Sequence, residues 1–323
     1  MMTTVTATEL AQEAQEFLRF KRAMGMRYQR AEFVLDGFIR FVAQHWGEHG
    51  DAPLDQAVMR WTTRLHGRKA FTVSAEFGVV RQFCLYRRRS DPLGYVPEHA
   101  LAPVKESTFS PYIFSHDEIH KLLAAATNHD GRFIWGMMLR TLMLVLYCTG
   151  MRLGEAVRLQ TQDVNLDQGT LTVQCSKGRS RILPIRPDLV TALRDYVQKR
   201  HDLVTKHLDV DPSAFFLRKN ASPLTIKSAS NAFRHLMREL GIKPEHGRLG
   251  ARPYEFRHAF AVHRLTDWAS TGVDVHAKLP WLSAYLGHLN VLGTEVYLKA
   301  TPQLLELASK RFEGRLRRSG RSP

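Results

Sequence analysis

The sequence predicts a two-domain, mainly α-helical protein with one small β-hairpin, and three observations support this fold class. Apolar residues recur at helical spacing from about residue 8 to residue 90. Prolines and glycines cluster between residues 91 and 111. Strict apolar–polar alternation is confined to residues 163–187. At 323 residues the chain is long enough for two domains that each bury a core.

The first 90 residues are predicted to form four helices. The first begins near Leu10, the second contains Phe33 and Val42, Pro53 opens the third, and the fourth holds Phe77. The prolines that follow are typical of a linker between domains. We therefore place an N-terminal helical domain at residues 1–95 and a linker at residues 96–112.

The second domain is predicted at residues 113–312, followed by a basic tail at residues 313–323. Ser115 and Glu118 fit a capping box at the start of its first helix. TLTVQ (170–174) and RILPI (181–185) alternate and predict a hairpin with Lys177 at its tip. Further helices are expected at about residues 132–148, 187–207, 225–241, 253–270, 275–287, around Tyr297 and at 302–312.

The composition favours an anionic polymer as partner, because 46 Lys and Arg face 31 Asp and Glu and give a net charge of +15. Three cysteines lie far apart and form no CxxC pair, which indicates a reducing compartment without structural zinc. The N-terminus lacks the pattern of a signal peptide. The apolar stretch 133–148 contains Arg140 and is short for a membrane span. We expect a cytoplasmic protein with no membrane partner.

A series of basic residues that ends in a tyrosine carries the candidate chemistry. These residues are Arg152, Lys177, Arg257, His288 and Tyr297. Attack on a phosphodiester accumulates negative charge in the transition state, so fixed cations promote it. The planar guanidinium of arginine stays charged and bonds two oxygens at once. The series therefore supplies charge for the phosphate, a proton donor for the leaving group and a phenol to attack.

Each member of the series also has a structural interpretation. Arg152 has Glu155 one helical turn away, which favours a plain salt bridge. Lys177 could be a solvated turn residue rather than the acid that protonates the departing oxygen. Tyr297 could be a half-buried core residue, and as a nucleophile with an ordinary pKa near 10 it needs a proton acceptor or a strongly positive pocket. His288 follows a glycine and could simply end a helix.

Four separated motifs carry a family resemblance. They are TGMRLGE, the hairpin lysine, FRHAFAVH, and LGH followed nine residues after its histidine by a tyrosine. Over roughly residues 110–312 the chain resembles the tyrosine recombinases of the phage-integrase type. VHAKLPWLSAYLGH and GTEVYL are similar to integrases carried by transposons.

The resemblance implies a two-domain clamp around double-stranded DNA, with an N-terminal core-binding domain and a C-terminal α+β catalytic domain. Such enzymes cut one strand with the tyrosine, form a 3′-phosphotyrosyl link and release a 5′ hydroxyl, and they integrate or excise DNA without metal, ATP or any other cofactor. A homo-tetramer on two specific recombination sites is expected, with a monomer or weak oligomer when free. Accessory DNA-bending or sister recombinase proteins and a place at the bacterial nucleoid are further expectations.

The motif positions assign roles residue by residue. Arg152 and Arg257 match the two family arginines, and Glu155 matches the acidic position that braces the first of them. Lys177, His288 and Tyr297 match the hairpin lysine, the later histidine and the nucleophile.

One position departs from the family pattern, because Tyr254 stands where a histidine is common. Its phenol can donate a hydrogen bond to phosphate but cannot carry positive charge. His258 follows Arg257, and on a helix it is expected to point elsewhere. The group that accepts the proton of Tyr297 therefore stays open.

Further basic residues are expected to contact the DNA backbone, or alternatively to form solvated surface. These are Arg87, Arg88, Arg89, Arg179 and Arg181. Two other functions share the motifs: a non-cleaving DNA-binding relative that acts as a regulator or accessory subunit, and strand relaxation of the type IB topoisomerase kind.

Overall fold

The computed structural model describes residues 4–64, 67–102, 111–128, 133–176, 179–207, 211–247 and 250–299. The chain divides into two compact units, residues 1–109 and residues 110–323.

In its described residues the first unit has four α-helices packed around an apolar core. Its helices are α1 (Ala7–Ala23), α2 (Gln29–Trp46), α3 (Leu54–Thr63) and α4 (Ala70–Arg87), and two short strands, β1 (Thr4–Val5) and β2 (Ala52–Pro53), pair antiparallel. Thr6 and Glu9 form a capping box that starts α1. Leu10, Phe38 and Phe83 are fully buried between the helices. The four predicted helices are confirmed, and Pro53 directly precedes α3.

The second unit is also mainly helical. Its helices are α5 (His116–Asn128), α6 (Phe133–Thr149), α7 (Leu153–Val157), α8 (Pro187–His207), α9 (Ile226–Glu239), α10 (Glu255–Ser270), α11 (Val275–Leu286) and α12 (Leu292–Glu295), and a 3₁₀ turn follows at Val296–Lys299. Ser115 and Glu118 make the predicted capping box before α5. Leu139, Leu142 and Leu146 of α6 are fully buried, so the apolar stretch is a core helix. Within the described ranges, no helix combines the length and apolar character that crossing a membrane requires.

The predicted hairpin is present as part of a three-stranded antiparallel sheet. The strands β3 (Val164–Asn165), β4 (Thr170–Ser176) and β5 (Arg179–Pro184) pair in that order. Alternate residues such as Leu171, Val173 and Leu183 point into the core, as the two-residue period requires. The mainly helical fold with a small sheet is thus confirmed, whereas the hairpin tip with Lys177 lies outside the described residues.

Two glycines let the elements of the second unit approach closely. Gly150 ends α6 with φ +62°, and a Cβ there would lie 2.5 Å from Phe260 Cδ1 and 2.6 Å from Leu286 Cδ2. Gly287 ends α11 with φ +70°, and a Cβ there would lie 2.7 Å from Arg181 Nη1. Both positions favour glycine because they need a left-handed backbone and leave no room for a side chain. They bring the ends of α6, α10 and α11 and strand β5 to one place.

Candidate active site

Arg257 lies where α6, α10, α11 and strand β5 approach one another. It occupies the first turn of α10 and is 1% exposed. Its Nη1 donates to the carbonyl of Gly150 at 2.7 Å, and its Nη2 donates to the carbonyl of Leu286 at 2.8 Å. Its Nε is buried and has no hydrogen-bond partner among the described residues. Burial, and after it the positive charge of Arg152, lowers the pKa of Arg257 below its usual range.

Glu155 joins two further arginines to the same place. Its buried carboxylate accepts from Arg152 Nη1 at 2.7 Å and from Arg181 Nη2 at 2.8 Å. The backbone N–H of Arg152 also donates to Glu155 at 3.0 Å, which closes the first turn of α7. The salt bridge between Arg152 and Glu155 is therefore real, and it orients Arg152 rather than removing it from the site.

Arg181 differs from its expected place among DNA-contacting surface residues. Its side chain is 13% exposed, and its Nε donates to the carbonyl of Tyr285 at 3.0 Å. Its guanidinium is thus occupied by Glu155 and the end of α11. The reason is the alternation of β5, which turns the residue toward α11. Arg181 is a link between the hairpin and the site.

Replacing the buried carboxylate tests this network. In Glu155→Gln, Arg152 and Arg181 lose their shared counter-charge, and two guanidiniums are left close together. We expect the free energy of unfolding to fall by about 3 kcal/mol, as for other broken buried ion pairs. Denaturant titration followed by circular dichroism measures it. Asp202→Asn is the control, because the pair of Asp202 with Lys199 is about half exposed and is worth under about 1 kcal/mol. Equal losses in the two variants would refute the network.

Tyr297 lies in the 3₁₀ turn after α12, close to the arginines of its own chain. It is 2% exposed and packs in a cluster with side chains of α10 and α11. Burial raises the pKa of its phenol, and the positive charge of Arg257 opposes that effect. The hydroxyl is therefore protonated at neutral pH and lies within the field of the Arg257 guanidinium.

Two imidazoles flank the Tyr297 ring. The His258 ring stands edge-on to it, with 5.3 Å between ring centroids, and the His288 ring stacks at 6.4 Å. His288 follows the left-handed Gly287, and its Nδ1 lies 2.7 Å from the hydroxyl of Thr294, which fixes the ring.

His258 contradicts the expectation that it points elsewhere. Adjacent helical positions are about 100° apart, so Arg257 and His258 should diverge, but the Tyr297 ring lies next to the His258 ring. Within the described part of the chain, His258 Nδ1 is buried without a hydrogen-bond partner. Its Nε2 lies 3.5 Å from Glu255 Oε2. Burial, with help from the charge of Arg257, lowers the pKa of His258 to about 4, so the ring is neutral at neutral pH.

Tyr254 lies just before α10 at the outer edge of the site. It is 40% exposed, and its ring stands 4.8 Å from that of His258. The three aromatic rings of Tyr254, His258 and Tyr297 therefore form a row from solvent to the interior. Of these three residues, Tyr254 is the one that is exposed.

The remaining predicted residues are the hairpin lysine and the arginines expected to contact the DNA backbone. Arg87 pairs with Glu13 at 2.5 Å, Arg88 Nε donates to the carbonyl of Pro92 at 3.2 Å, and the Arg89 guanidinium stacks 4.8 Å from the Phe20 ring. These three belong to the first unit. Lys177 and the side chain of Arg179 fall outside the described residues. No group of three or more His, Cys, Asp or Glu side chains suited to a metal ion occurs in the ranges that the structure covers.

Comparison with known proteins agrees with this geometry. The phage integrase family model matches residues 113–303, which is more than half of the chain. The chain belongs to the phage integrase family. A Sinorhizobium fredii relative, provisionally named integrase/recombinase y4rB, is 30% identical over 94% of this chain and 97% of its own. The tyrosine recombinase XerA of Pyrococcus furiosus is 27% identical over 82% of each chain.

Solved structures of phage integrase family members show the same fold. The Tn1549 transposon integrase, determined with transposon right end DNA, superposes with a TM-score of 0.67 at 16% identity and covers 94% of this chain and 99% of its own. At that identity the likeness concerns the fold. Family membership makes the chain a tyrosine-type recombinase.

Proposed function

We propose that this protein is a site-specific DNA recombinase that cuts and rejoins DNA through a 3′-phosphotyrosyl intermediate at Tyr297. One observation carries the proposal: the phenol of Tyr297 lies beside the Arg257 guanidinium within a single chain, with Arg152 close enough to influence both pKa values. A tyrosine of purely structural use does not require two guanidiniums nearby, and guanidiniums are costly to bring together. A phosphate bound between the guanidiniums of Arg152 and Arg257 offsets their positive charge.

Each step is assigned to a side chain. Arg152 and Arg257 hold the non-bridging oxygens of the scissile phosphate, Tyr254 and His288 add hydrogen-bond donors, and the Tyr297 oxygen attacks phosphorus. The phosphorus–O5′ bond breaks, and Lys177 gives the departing oxygen its proton. A 5′ hydroxyl later attacks the phosphotyrosyl bond and restores the phenol. Each step breaks one phosphorus–oxygen bond and forms another, so neither step needs an external energy source.

His258 is the acceptor that we propose for the phenolic proton, a role that the sequence left open. Its ring contacts Tyr297, its Nδ1 is buried without a hydrogen-bond partner among the described residues, and the Glu255 carboxylate lies 3.5 Å from its Nε2. Its lowered pKa keeps the ring neutral, as an acceptor must be, down to about pH 4. Tyr254 cannot do this, because a protonated phenol does not take up a second proton near neutral pH.

Replacing His258 by glutamine should change both rate and pH dependence. Glutamine keeps a polar side chain but cannot accept the proton, so cleavage should slow about 10²-fold at neutral pH. The remaining activity needs pre-formed phenolate, whose fraction rises about tenfold per pH unit below its pKa. We therefore expect the rate of His258→Gln to climb steeply from about pH 6 to about pH 8, whereas that of the parent stays nearly flat. Single-turnover cleavage rates at each pH measure this.

His263→Gln is the matched control for this prediction. His263 lies on the same helix and burial likewise lowers its pKa to about 4, but its ring stacks on His116 and its Nδ1 lies 2.8 Å from the Tyr147 hydroxyl. This variant should keep the flat profile of the parent. If His258→Gln also kept a flat profile, another group would be the acceptor.

Covalent trapping tests the proposed function itself. The protein is incubated with duplexes from its own genomic neighbourhood that carry a nick beside the cleavage position, so that the released fragment diffuses away and rejoining stops. A protein–DNA adduct that survives denaturation is expected. Binding without any adduct would favour the non-cleaving relative. Relaxation of plasmids regardless of sequence, without strand exchange, would favour the type IB topoisomerase activity.

Assembly on DNA is part of the proposal. Several large apolar side chains of α11 and the residues that follow it are largely exposed, among them Trp281 at 73%, Leu289 at 65% and Leu292 at 66%. Such a group of side chains is typical of a contact surface, and we assign it to neighbouring protomers in a tetramer on two DNA sites. Light scattering of the DNA complex should give four protomers for two duplexes; one protomer for each duplex at saturation would exclude the tetramer.

A further inference from the structure

The hydroxyl group of Thr294 is buried beside the ring of His288. Thr294 is the third residue of α12 and is 0% exposed. Its Oγ1 lies 2.7 Å from His288 Nδ1, which is a short hydrogen bond. Within the described ranges this oxygen has no second hydrogen-bond partner. The side chain of Thr294 is therefore committed to the imidazole.

The hydrogen of this hydroxyl decides which nitrogen of His288 carries a proton. A neutral imidazole has one N–H donor and one acceptor nitrogen. If Nδ1 were the donor, the buried hydroxyl hydrogen of Thr294 would have no acceptor among the described residues, and an unsatisfied buried donor is costly. If the hydroxyl donates to Nδ1, both groups are satisfied. The neutral ring of His288 therefore carries its hydrogen on Nε2.

The backbone around His288 holds the ring in this orientation. The His288 N–H donates to the carbonyl of Ser283 at 3.0 Å, and the Thr294 N–H donates to the carbonyl of Val291 at 2.7 Å. Gly293 lies against the ring, because a Cβ there would be 3.3 Å from His288 Cγ. The imidazole thus has a defined place in a folded loop and little room to rotate.

The segment that holds His288 also carries the proposed nucleophile. Thr294 precedes Tyr297 by three residues, which is about one helical turn, and both side chains are buried. The rings of His288 and Tyr297 stack with 6.4 Å between centroids and 21° between planes. Packing of this one segment therefore orients the imidazole and places the phenol together.

We propose that Thr294 is a positioning residue that holds His288 as an Nε2–H donor toward the scissile phosphate, an inference that rests on the proposed function. Thr294 does not touch the reacting atoms in this scheme and acts through the imidazole. A donor that is fixed in its tautomer and orientation before the reaction needs no reorganisation when negative charge develops on the phosphate oxygens.

Two substitutions separate the hydroxyl of Thr294 from its bulk. Thr294→Val replaces the hydroxyl by a methyl group, and we expect single-turnover cleavage at saturating DNA to slow about tenfold, the factor for one lost hydrogen bond. Thr294→Ser keeps the hydroxyl and should keep a rate close to that of the parent. A parental rate for Thr294→Val would overturn the proposal.

Thr141→Val is the matched control for these variants. Thr141 lies on α6 and is 2% exposed, and its hydroxyl donates to the carbonyl of Met137 at 2.8 Å. The same change of residue type at this buried threonine should leave the cleavage rate unchanged. An equal loss of rate in Thr141→Val and Thr294→Val would mean that Thr294 acts only on the fold.

A double-mutant cycle tests whether Thr294 acts through His288. Glutamine at position 288 offers a side-chain N–H but has no counterpart of Nδ1, so Thr294 has nothing to orient in His288→Gln. Adding Thr294→Val to that variant should therefore slow cleavage little further. A further loss of about tenfold, as large as the loss in the parent, would show that the two residues act independently and would refute the positioning role.

Nitrogen-15 NMR of histidine-labelled protein reads the tautomer without any reaction. The His288 signals are assigned by their loss in His288→Gln. At alkaline pH, where the ring is neutral, we expect the hydrogen on Nε2 in the parent and in Thr294→Ser, and a mixture of both tautomers in Thr294→Val. A hydrogen on Nδ1 in the parent would overturn the proposal. Absence of a covalent adduct from the parent refutes the proposed function, whereas the NMR result decides in either case whether Thr294 controls His288.

Discussion

Arg257→Lys is expected to slow DNA cleavage by about 10²–10³-fold while the protein stays folded. The guanidinium of Arg257 has three nitrogens, and two of them are committed to the carbonyls of Gly150 and Leu286. A lysine keeps the positive charge, but a single ammonium cannot bond two carbonyls and also stabilise a pentavalent phosphate. Loss of one such preorganised donor costs about 3–4 kcal/mol of transition-state stabilisation. Single-turnover rates of adduct formation at saturating DNA measure this loss.

The matched control for this prediction is Arg264→Lys. Arg264 lies two turns further along α10, where its guanidinium stands 6.0 Å from the Phe260 ring. The same change of residue type there should leave the cleavage rate close to that of the parent. Thermal unfolding of both variants establishes that each is folded at the assay temperature. A parental rate for Arg257→Lys would mean that the second arginine has no part in the transition state.

Tyr297→Phe is expected to abolish the covalent adduct completely. The substitution removes one oxygen from a residue that is 2% exposed and leaves the ring contacts with His258 and His288 in place. The fold and DNA affinity should therefore persist. Because the hydroxyl is the proposed nucleophile, no neighbouring group replaces it at a measurable rate. Denaturing gels of the suicide-substrate reaction measure adduct, and a gel-shift titration measures binding.

Tyr254→Phe provides the contrast, since it removes the same atom from the neighbouring tyrosine that is 40% exposed. As a hydrogen-bond donor to phosphate, Tyr254 should affect only the rate, so the adduct forms more slowly, by about tenfold for the lost bond of about 1.5 kcal/mol. A rate equal to that of the parent would remove Tyr254 from the mechanism. Loss of the adduct in Tyr254→Phe, with adduct retained in Tyr297→Phe, would reverse the two roles.

The local parts of the structure could be predicted from the sequence. The capping box of Ser115 and Glu118, the start of α7 at Arg152 and the hairpin strands all depend on residues a few positions apart. Such features follow from hydrogen-bonding and side-chain periodicity within one element. The family motifs then identified the basic residues and Tyr297 by their order along the chain.

The long-range contacts could not be predicted. Arg257 reaches the carbonyl of Gly150 across 107 positions, and Arg181 reaches that of Tyr285 across 104 positions. Local spacing specifies neither, because each depends on how α6, α10, α11 and β5 pack. The contact of His258 with Tyr297 is also long-range. Helical geometry alone directs the His258 imidazole away from Arg257. The phenol reaches this imidazole because the 3₁₀ turn that carries Tyr297 packs against α10. The role of each of these three residues therefore depends on the group that it contacts in the folded protein.

The most direct measurement identifies the amino acid that carries the DNA. The adduct formed by the parent on a nicked duplex is digested with nuclease and protease, and the modified peptide is sequenced by mass spectrometry. The account predicts a 3′-phosphate of DNA joined to the hydroxyl of Tyr297, with a free 5′ hydroxyl on the released fragment. A link to Tyr254 or to a serine, or a 5′-phosphate attached to the protein, would contradict it.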